Sequence, residues 1–362
     1  MYEFTVLMPY KKEHIDNLFE INQKVEKSCI KSVCFSLPAN SSDFTGFEQE
    51  RFVFDYNTDF NYWEPLIEHS LSYGADFIYL LNSKEIFDAE IDNIDIMLEK
   101  LDKLLNNIIK LGCNKVLVCN PQLIAHINEY YKNIEIYLSS STKIQTVQQY
   151  SDLLNSFNSI KRILPAFDLN KNFRFLKNIK NKFSNINIEL TVNEGNIAEA
   201  SGLINHSMFY TSDTEINKNF ISSANVFLEN SEKIINKYYQ QLCFPYIIYP
   251  WEIEEYSKFG INNFKLTQNN VNILKNSEYI KEYELYLMGI DDIKNIEDVP
   301  IKYFNKYISD NINSTIKDIK QYLPEIDYFI TNGYLCSVIC GTECNYCRKC
   351  AETLQGVFEK NT

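Results

Sequence analysis

The sequence predicts an α/β protein of the TIM-type (β/α)8 barrel class with a C-terminal cysteine-rich metal-binding tail. Three observations predict it. Eight short apolar runs recur along the chain, helical segments separate most of them, and five cysteines crowd the last 30 residues. A chain of 362 residues suits one large α/β domain plus an appendage. The expected division is a barrel over 1–330, with a long insertion at about 193–249, and a metal-binding tail over 331–362.

The first run is Phe4 to Met8. Ser32 to Leu37 follows, after a helical stretch containing Ile15, Leu18, Phe19 and Val25. Asp76 to Leu81, Lys115 to Cys119, Glu135 to Leu138, Ile160 to Ala166, Asn187 to Val192 and Asn263 to Leu266 complete the set. Continuous apolar runs of this length suit parallel strands buried on both faces. Between them, Ile91 to Leu111 is the clearest helix. Ile94, Met97, Leu98, Leu101, Leu104, Leu105, Ile108 and Ile109 form one apolar stripe, and Gly112 supplies a stop. Lys171 to Phe183 repeats the pattern, and Glu252 to Phe259 gives a short helix ended by Gly260. A doubly wound open sheet is the alternative. No Gly-rich fingerprint follows any run, which counts against a dinucleotide-binding domain. Asn40 to Pro65 reads as a long loop after the second strand, and 193–249 as an insertion after the seventh. In a barrel both lie on the C-terminal face, where sites are built.

Composition bounds the function. Hydrophobic residues make up 45% of the chain and charged residues 23%, so a large core can be buried and composition counts against wholesale disorder. The formal net charge of −13 counts against a stand-alone nucleic-acid binder, although Lys171 to Lys182 is locally basic. No run approaches the ~18 apolar residues of a membrane span. Met1-Tyr2-Glu3-Phe4 does not read as a secretory signal, so the expected location is cytoplasmic. Thiols stay reduced there, and clustered cysteines read as metal ligands before disulfides.

The tail reads Cys336-Ser-Val-Ile-Cys340-Gly-Thr-Glu-Cys344-Asn-Tyr-Cys347-Arg-Lys-Cys350. A Cys-x-x-Cys step sets two thiolates on one tight turn, close enough to chelate one centre. Two such steps share Cys347. From Cys340 onward the order reverses the spacing of bacterial ferredoxins, so an iron–sulfur cluster is the first reading and zinc the alternative. Cys340-x3-Cys344-x2-Cys347 also matches radical S-adenosylmethionine spacing, but it follows the last strand rather than the first. A purely structural knot that staples the C-terminus to the barrel is the other role open to it.

The seventh run ends in Asn193-Glu194-Gly195-Asn196, with His206 beyond. At the C-terminal end of a barrel strand, Glu194 is a candidate acid or base and His206 a candidate ligand or proton shuttle. A capping Asn, a turn Gly and a surface His would explain the same residues. Asp168, after Leu164-Pro165-Ala166-Phe167, is a further candidate. Lys265 alternates with Phe264 and Leu266, pointing inward or snorkelling. His14, His69 and His126 read as structural, and Cys113 and Cys119 as small hydrophobes. No Gly-x-Ser-x-Gly elbow or His-Glu-x-x-His helix is present.

The order of these motifs resembles the collagenase-like peptidase family, the U-thirty-two peptidases, over roughly residues 70–290. The resemblance is sharpest at Tyr73-Gly74-Ala75-Asp76-Phe77-Ile78-Tyr79, at Asn193-Glu194-Gly195, and at Tyr256-Ser-Lys-Phe-Gly260-Ile-Asn-Asn-Phe264-Lys265-Leu266. It implies a barrel and an oxygen-sensitive 4Fe–4S cluster held by four cysteines after the seventh strand. It also implies oxygen-independent hydroxylation or another modification of a small molecule, RNA or peptide, and a related barrel subunit as partner. The family name implies peptidase activity as well, for which no nucleophile–base pair can be named. This chain departs from the pattern. Asn196 and Ala200 stand where cysteines are expected, only Cys243 sits where a later ligand falls, and Thr267-Gln268-Asn269-Asn270 replaces the usual Gly-Arg ending. Either the tail cysteines take over, with Cys243, or the chain is a divergent subunit whose partner performs the chemistry.

Overall fold

The computed structural model describes residues 1–35, 60–81, 94–142, 144–166, 169–193, 248–267 and 278–292. Strands β1 (Tyr2–Leu7), β2 (Ser28–Phe35), β3 (Asp76–Leu81), β4 (Lys115–Val118), β5 (Glu135–Leu138), β6 (Ile160–Ile163), β7 (Asn187–Thr191) and β8 (Asn263–Lys265) pair in parallel, in chain order. β8 bonds to both β7 and β1, so the sheet closes. Closure decides for the barrel over the open sheet. Around it lie helices α1 (Lys12–Glu20), α2 (Phe60–Ser72), α3 (Ile94–Lys110), α4 (Pro121–Tyr130), α5 (Val147–Ser156), α6 (Phe173–Lys182), α7 (Ile253–Ser257) and α8 (Glu278–Asp292).

The main core lies between strands and helices. Phe4, Val6, Val33, Val116, Ile136, Ile163, Leu190 and Phe264 point outward from the barrel and are 0% exposed. They meet Leu18, Ile67, Leu105, Ile127, Leu176, Ile179 and Leu287 from the helices, in one continuous cluster. A second, smaller cluster fills the barrel axis with Cys34, Ile78, Leu117, Tyr137 and Leu164. Burial on both faces explains why the strands read as apolar runs rather than as alternation.

Helix ends follow local chemistry. Asn120 caps α4 by accepting from the N–H groups of Gln122 and Leu123, with Pro121 at the first helical position. Thr146 and Gln149 form a capping box on α5, and Asn172 accepts from Phe175 at the start of α6. α3 and α7 end in Schellman turns. Gly112 (φ 84°) and Gly260 (φ 75°) occupy the left-handed position, and the next residues, Cys113 and Ile261, donate back to Ile108 and Tyr256.

One expectation is corrected. The loop read from Asn40 to Pro65 stops short, because α2 starts at Phe60 and carries Pro65 inside it. Proline removes one helical hydrogen bond this close to the N-terminus. Burial of Trp63 (1% exposed) and Ile67 (0%) on the core face outweighs that loss. The register also slips where β1 meets β2 and where β5 meets β6. Each slip leaves a lysine out of the pairing, Lys31 in one case and exposed Lys161 in the other. These slips set Ser32 and Arg162 opposite Thr5 and Tyr137.

Candidate functional site

Glu194, His206, Asp168, Cys243, Cys336, Cys340, Cys344, Cys347 and Cys350 all lie outside the described residues. The described chain reaches Ala166 and Leu169 on either side of Asp168, and Asn193 immediately before Glu194. Asn193 itself is a staple. Its amide donates to the Thr267 carbonyl at 2.8 Å and accepts from the Thr267 N–H at 2.8 Å, tying the exit of β7 to the exit of β8.

Strand register places the inward side chains in four-membered layers, as in other barrels. Two of the described layers are mixed. Thr5, Ile78, Tyr137 and Glu189 share one, and Cys34, Leu117, Leu164 and Lys265 share the next one toward the C-terminal mouth. Leu7, Leu80, Ser139 and Thr191 line the mouth above them. In these layers β2 to β4 contribute only Cys34, Ile78, Leu80 and Leu117, and the charged groups, Glu189 and Lys265, stand on β7 and β8.

Glu189 is the hub of the polar side. It is 1% exposed, accepts from the Thr5 hydroxyl and pairs with Arg162 at 3.2 Å. The Arg162 guanidinium also lies 4.5 Å from the Tyr137 ring centre. Burial works against the arginine's charge, but the Glu189 carboxylate together with Tyr137 and Glu3 more than offsets it, and the group holds its proton more firmly than usual. Burial pushes the Tyr137 phenol up, so it stays protonated. Nε of Arg162 is buried and makes no hydrogen bond among the described residues. Near the opposite, N-terminal end of the barrel, Lys115 pairs with Asp76 at 2.5 Å.

A second polar cluster sits on the C-terminal rim. Lys171, just before α6, donates to both carboxylate oxygens of Glu252, and Glu252 accepts from the Tyr249 N–H at 2.8 Å. The Lys171 ammonium lies 5.8 Å from the Tyr249 ring centre. Burial pushes the Glu252 carboxyl up, against the opposing pull of Lys171. Around this pair, Asn170 donates to the Thr191 carbonyl at 2.8 Å, Tyr256 to the Asn170 carbonyl at 3.0 Å, and Tyr286 to the Ile248 carbonyl at 2.5 Å. Ile248 donates to Val192 at 2.9 Å, so the chain rejoins β7 where it returns from 194–247. The cluster therefore fixes both borders of that segment to the barrel.

The basic stretch from Lys171 to Lys182 is largely used within the fold. Lys171 is buried, Lys180 donates to the Ile186 carbonyl, Lys182 donates to the Ser151 hydroxyl at 2.6 Å, and Lys177 covers the Phe259 ring. The described histidines, His14, His69 and His126, lie in helices of the outer layer. His69 bonds Asp16 at 2.6 Å and His126 bonds Asp102 at 2.7 Å, each linking two helices or a helix pair's edge. His14 is buried in α1. Cys34, Cys113 and Cys119 are buried, and Cys29 is half-buried. Burial pushes the Cys113 thiol up to about 11, so it is neither a thiolate ligand nor a nucleophile near neutral pH. Among the described residues no three metal-binding side chains come together.

Arg162, Glu189, Lys171 and Glu252 were not singled out from sequence as site residues. The available signal was parity. In a strand buried on both faces, a charged residue at an inward position needs a partner, as Arg162 and Glu189 show. The Lys171–Glu252 pair left no such signal, because loops carry no period.

No family model and no curated protein matches the chain. Among solved structures it is similar to a U32 peptidase at 10% identity and a TM-score of 0.44, over 74% of this chain and 93% of that one. It is similar to a glycerophosphodiester phosphodiesterase from Parabacteroides distasonis at 8% identity and a TM-score of 0.41, over 78% and 97%. A GH113 β-1,4-mannanase matches at 13% identity and a TM-score of 0.39, over 78% and 98%. The barrel assignment rests on the pairing that closes β8 onto β1. No helix among the described residues is long and apolar enough to cross a membrane.

Proposed function

We propose that this chain is a cytoplasmic iron–sulfur barrel protein that carries out an oxygen-independent hydroxylation or related modification of a small molecule, RNA or peptide. One observation carries the reading: five cysteines at metal-chelating spacing, Cys336, Cys340, Cys344, Cys347 and Cys350, follow the barrel in the same chain. Their donor chemistry fits a 4Fe–4S cluster, which takes thiolates at short, regular spacing. Cys243 is a further candidate ligand. When bound, such a cluster supplies one-electron transfer. The polar side of the barrel supplies the substrate end, with Lys265 and Thr191 on its inner face and Asp168, Glu194 and His206, which follow β6 and β7 in sequence, as candidate groups.

Anaerobic purification with metal analysis and an absorption spectrum tests the reading. A brown protein with a broad visible band from sulfur-to-iron charge transfer supports it. Cys344→Ser is expected to abolish that band. A colourless protein holding one zinc overturns the redox role and leaves the tail a structural knot.

A second reading has its own support. Asn196 and Ala200 stand where the resembling family places cysteines, which fits a subunit that has ceded the chemistry to a related barrel partner. Co-purification of a second barrel chain, with activity absent from this chain alone, is the outcome that reading requires.

A further inference from the structure

We propose that Lys265 is the anion-binding residue of the barrel mouth and takes a carboxylate or phosphate group of the substrate. This rests on the reading above only in placing substrate at the C-terminal face; it does not depend on the metal.

Phe264 on β8 and Leu266 just past its end are 0% and 2% exposed in the outer core, so Lys265 between them faces the axis. It is itself only 8% exposed. Its layer mates Cys34, Leu117 and Leu164 offer no charge. Glu189, one layer below on the neighbouring strand, already serves Arg162 and the Thr5 hydroxyl. Among the described residues Lys265 makes no hydrogen bond and no ion pair, in contrast to the buried lysine Lys171 and to Lys115. Glu189 is already engaged by Arg162, and no carboxylate among the described residues contacts Lys265.

An ammonium on a side chain this little exposed, with no ion-pair partner among the described residues, is costly, and a bound anion would complete it. The route to it is the mouth, where Leu7 and Leu80 are only partly buried. Thr191, paired with Lys265 across β7 and β8, presents a hydroxyl on the same face of the sheet. A compact, oxygen-rich anion fits that donor set. Lysine acts on such groups as a point charge and makes no demand for planar, two-pronged geometry.

Ligand-observed NMR on the full chain, with metal content measured on the same sample, tests this. Inorganic phosphate is the probe in one arm and malonate in the other. The expected result is binding of at least one probe by the wild type, weakened about tenfold to a hundredfold in Lys265→Met and largely kept in Lys265→Arg. Binding of phosphate alone assigns a phosphoryl substrate, and of malonate alone a carboxylate. Lys265→Met should also unfold at an equal or higher urea concentration than the wild type, because it removes an unpaired charge. Absence of binding in the wild type overturns the proposal. So does equal binding by Lys265→Met, or a destabilised Lys265→Met, which would mark the lysine as a structural partner. Loss of metal with anion binding intact refutes the iron–sulfur reading and leaves this one standing.

Discussion

The Lys171–Glu252 pair gives the sharpest energetic test of the described structure. Both side chains are nearly sealed from water, at 6% and 5% exposed. Desolvating two charges costs several kcal/mol per ion, and close pairing with extra hydrogen bonds offsets it. The pair itself is therefore worth little, but either partner alone is expensive. Lys171→Met keeps the length of the side chain and strands a carboxylate, at a cost of about 3–5 kcal/mol. Glu252→Gln keeps the acceptor for the Tyr249 N–H and strands an ammonium, at a cost of about 2–4 kcal/mol. The double variant buries neither charge and should lose only about 1–3 kcal/mol. Urea unfolding at neutral pH, followed by circular dichroism, measures all four proteins. The expected coupling is about 2 kcal/mol or more, with the double variant more stable than Lys171→Met. Additive losses, with coupling under about 0.5 kcal/mol, would refute the reasoning, since a desolvated contact cannot be additive.

Two further outcomes follow from the backbone and the core. Cys113 has its thiol pushed from 9.0 to about 11, so between those values the folded state holds a proton that the unfolded state has released. Stability from this group is present below pH 9 and lost as pH rises to 11; wild type minus Cys113→Ala should fall by about 2–3 kcal/mol across that window in urea titrations. Gly112 has φ 84°, and a Cβ there would meet Leu71 Cδ1 at 3.3 Å. Gly112→Ala should therefore cost about 1–2 kcal/mol, and more than Gly74→Ala, which has φ 73° but nothing within 4 Å of its Cβ. Equal losses in the two variants would assign the effect to the backbone alone.

The barrel was legible because its strands are buried twice. Val116, Leu117 and Val118 on β4 are all buried, so the run has no polar face to confuse the reading. Helix stops were legible at Gly112 and Gly260, where only a left-handed residue completes the turn. Pro65 misled, because a breaker in sequence is tolerated in space when Trp63 and Ile67 bury the same helix. The polar interior was less legible for a different reason. Arg162 and Glu189 sit in short strands among Ile and Leu, where a charge resembles a solvent-facing alternation until closure turns that face inward. Lys171 and Glu252 are 81 positions apart, and no local period connects them.

The acidic net charge and the proposed anion site are compatible, because they act over different distances. A net charge of −13 works through solvent and is screened within about 8–10 Å at ordinary ionic strength. Lys265 acts inside the barrel wall, where screening is weak and a single contact counts for more. The arrangement therefore does little to attract anions from bulk water and much to hold one that has entered. It also confines recognition to β7 and β8, whose exits are joined by Asn193 and Thr267. The rim is anchored beside them by Lys171 and Glu252. An anionic group seated on Lys265 is thus placed next to the strand end from which Glu194 continues.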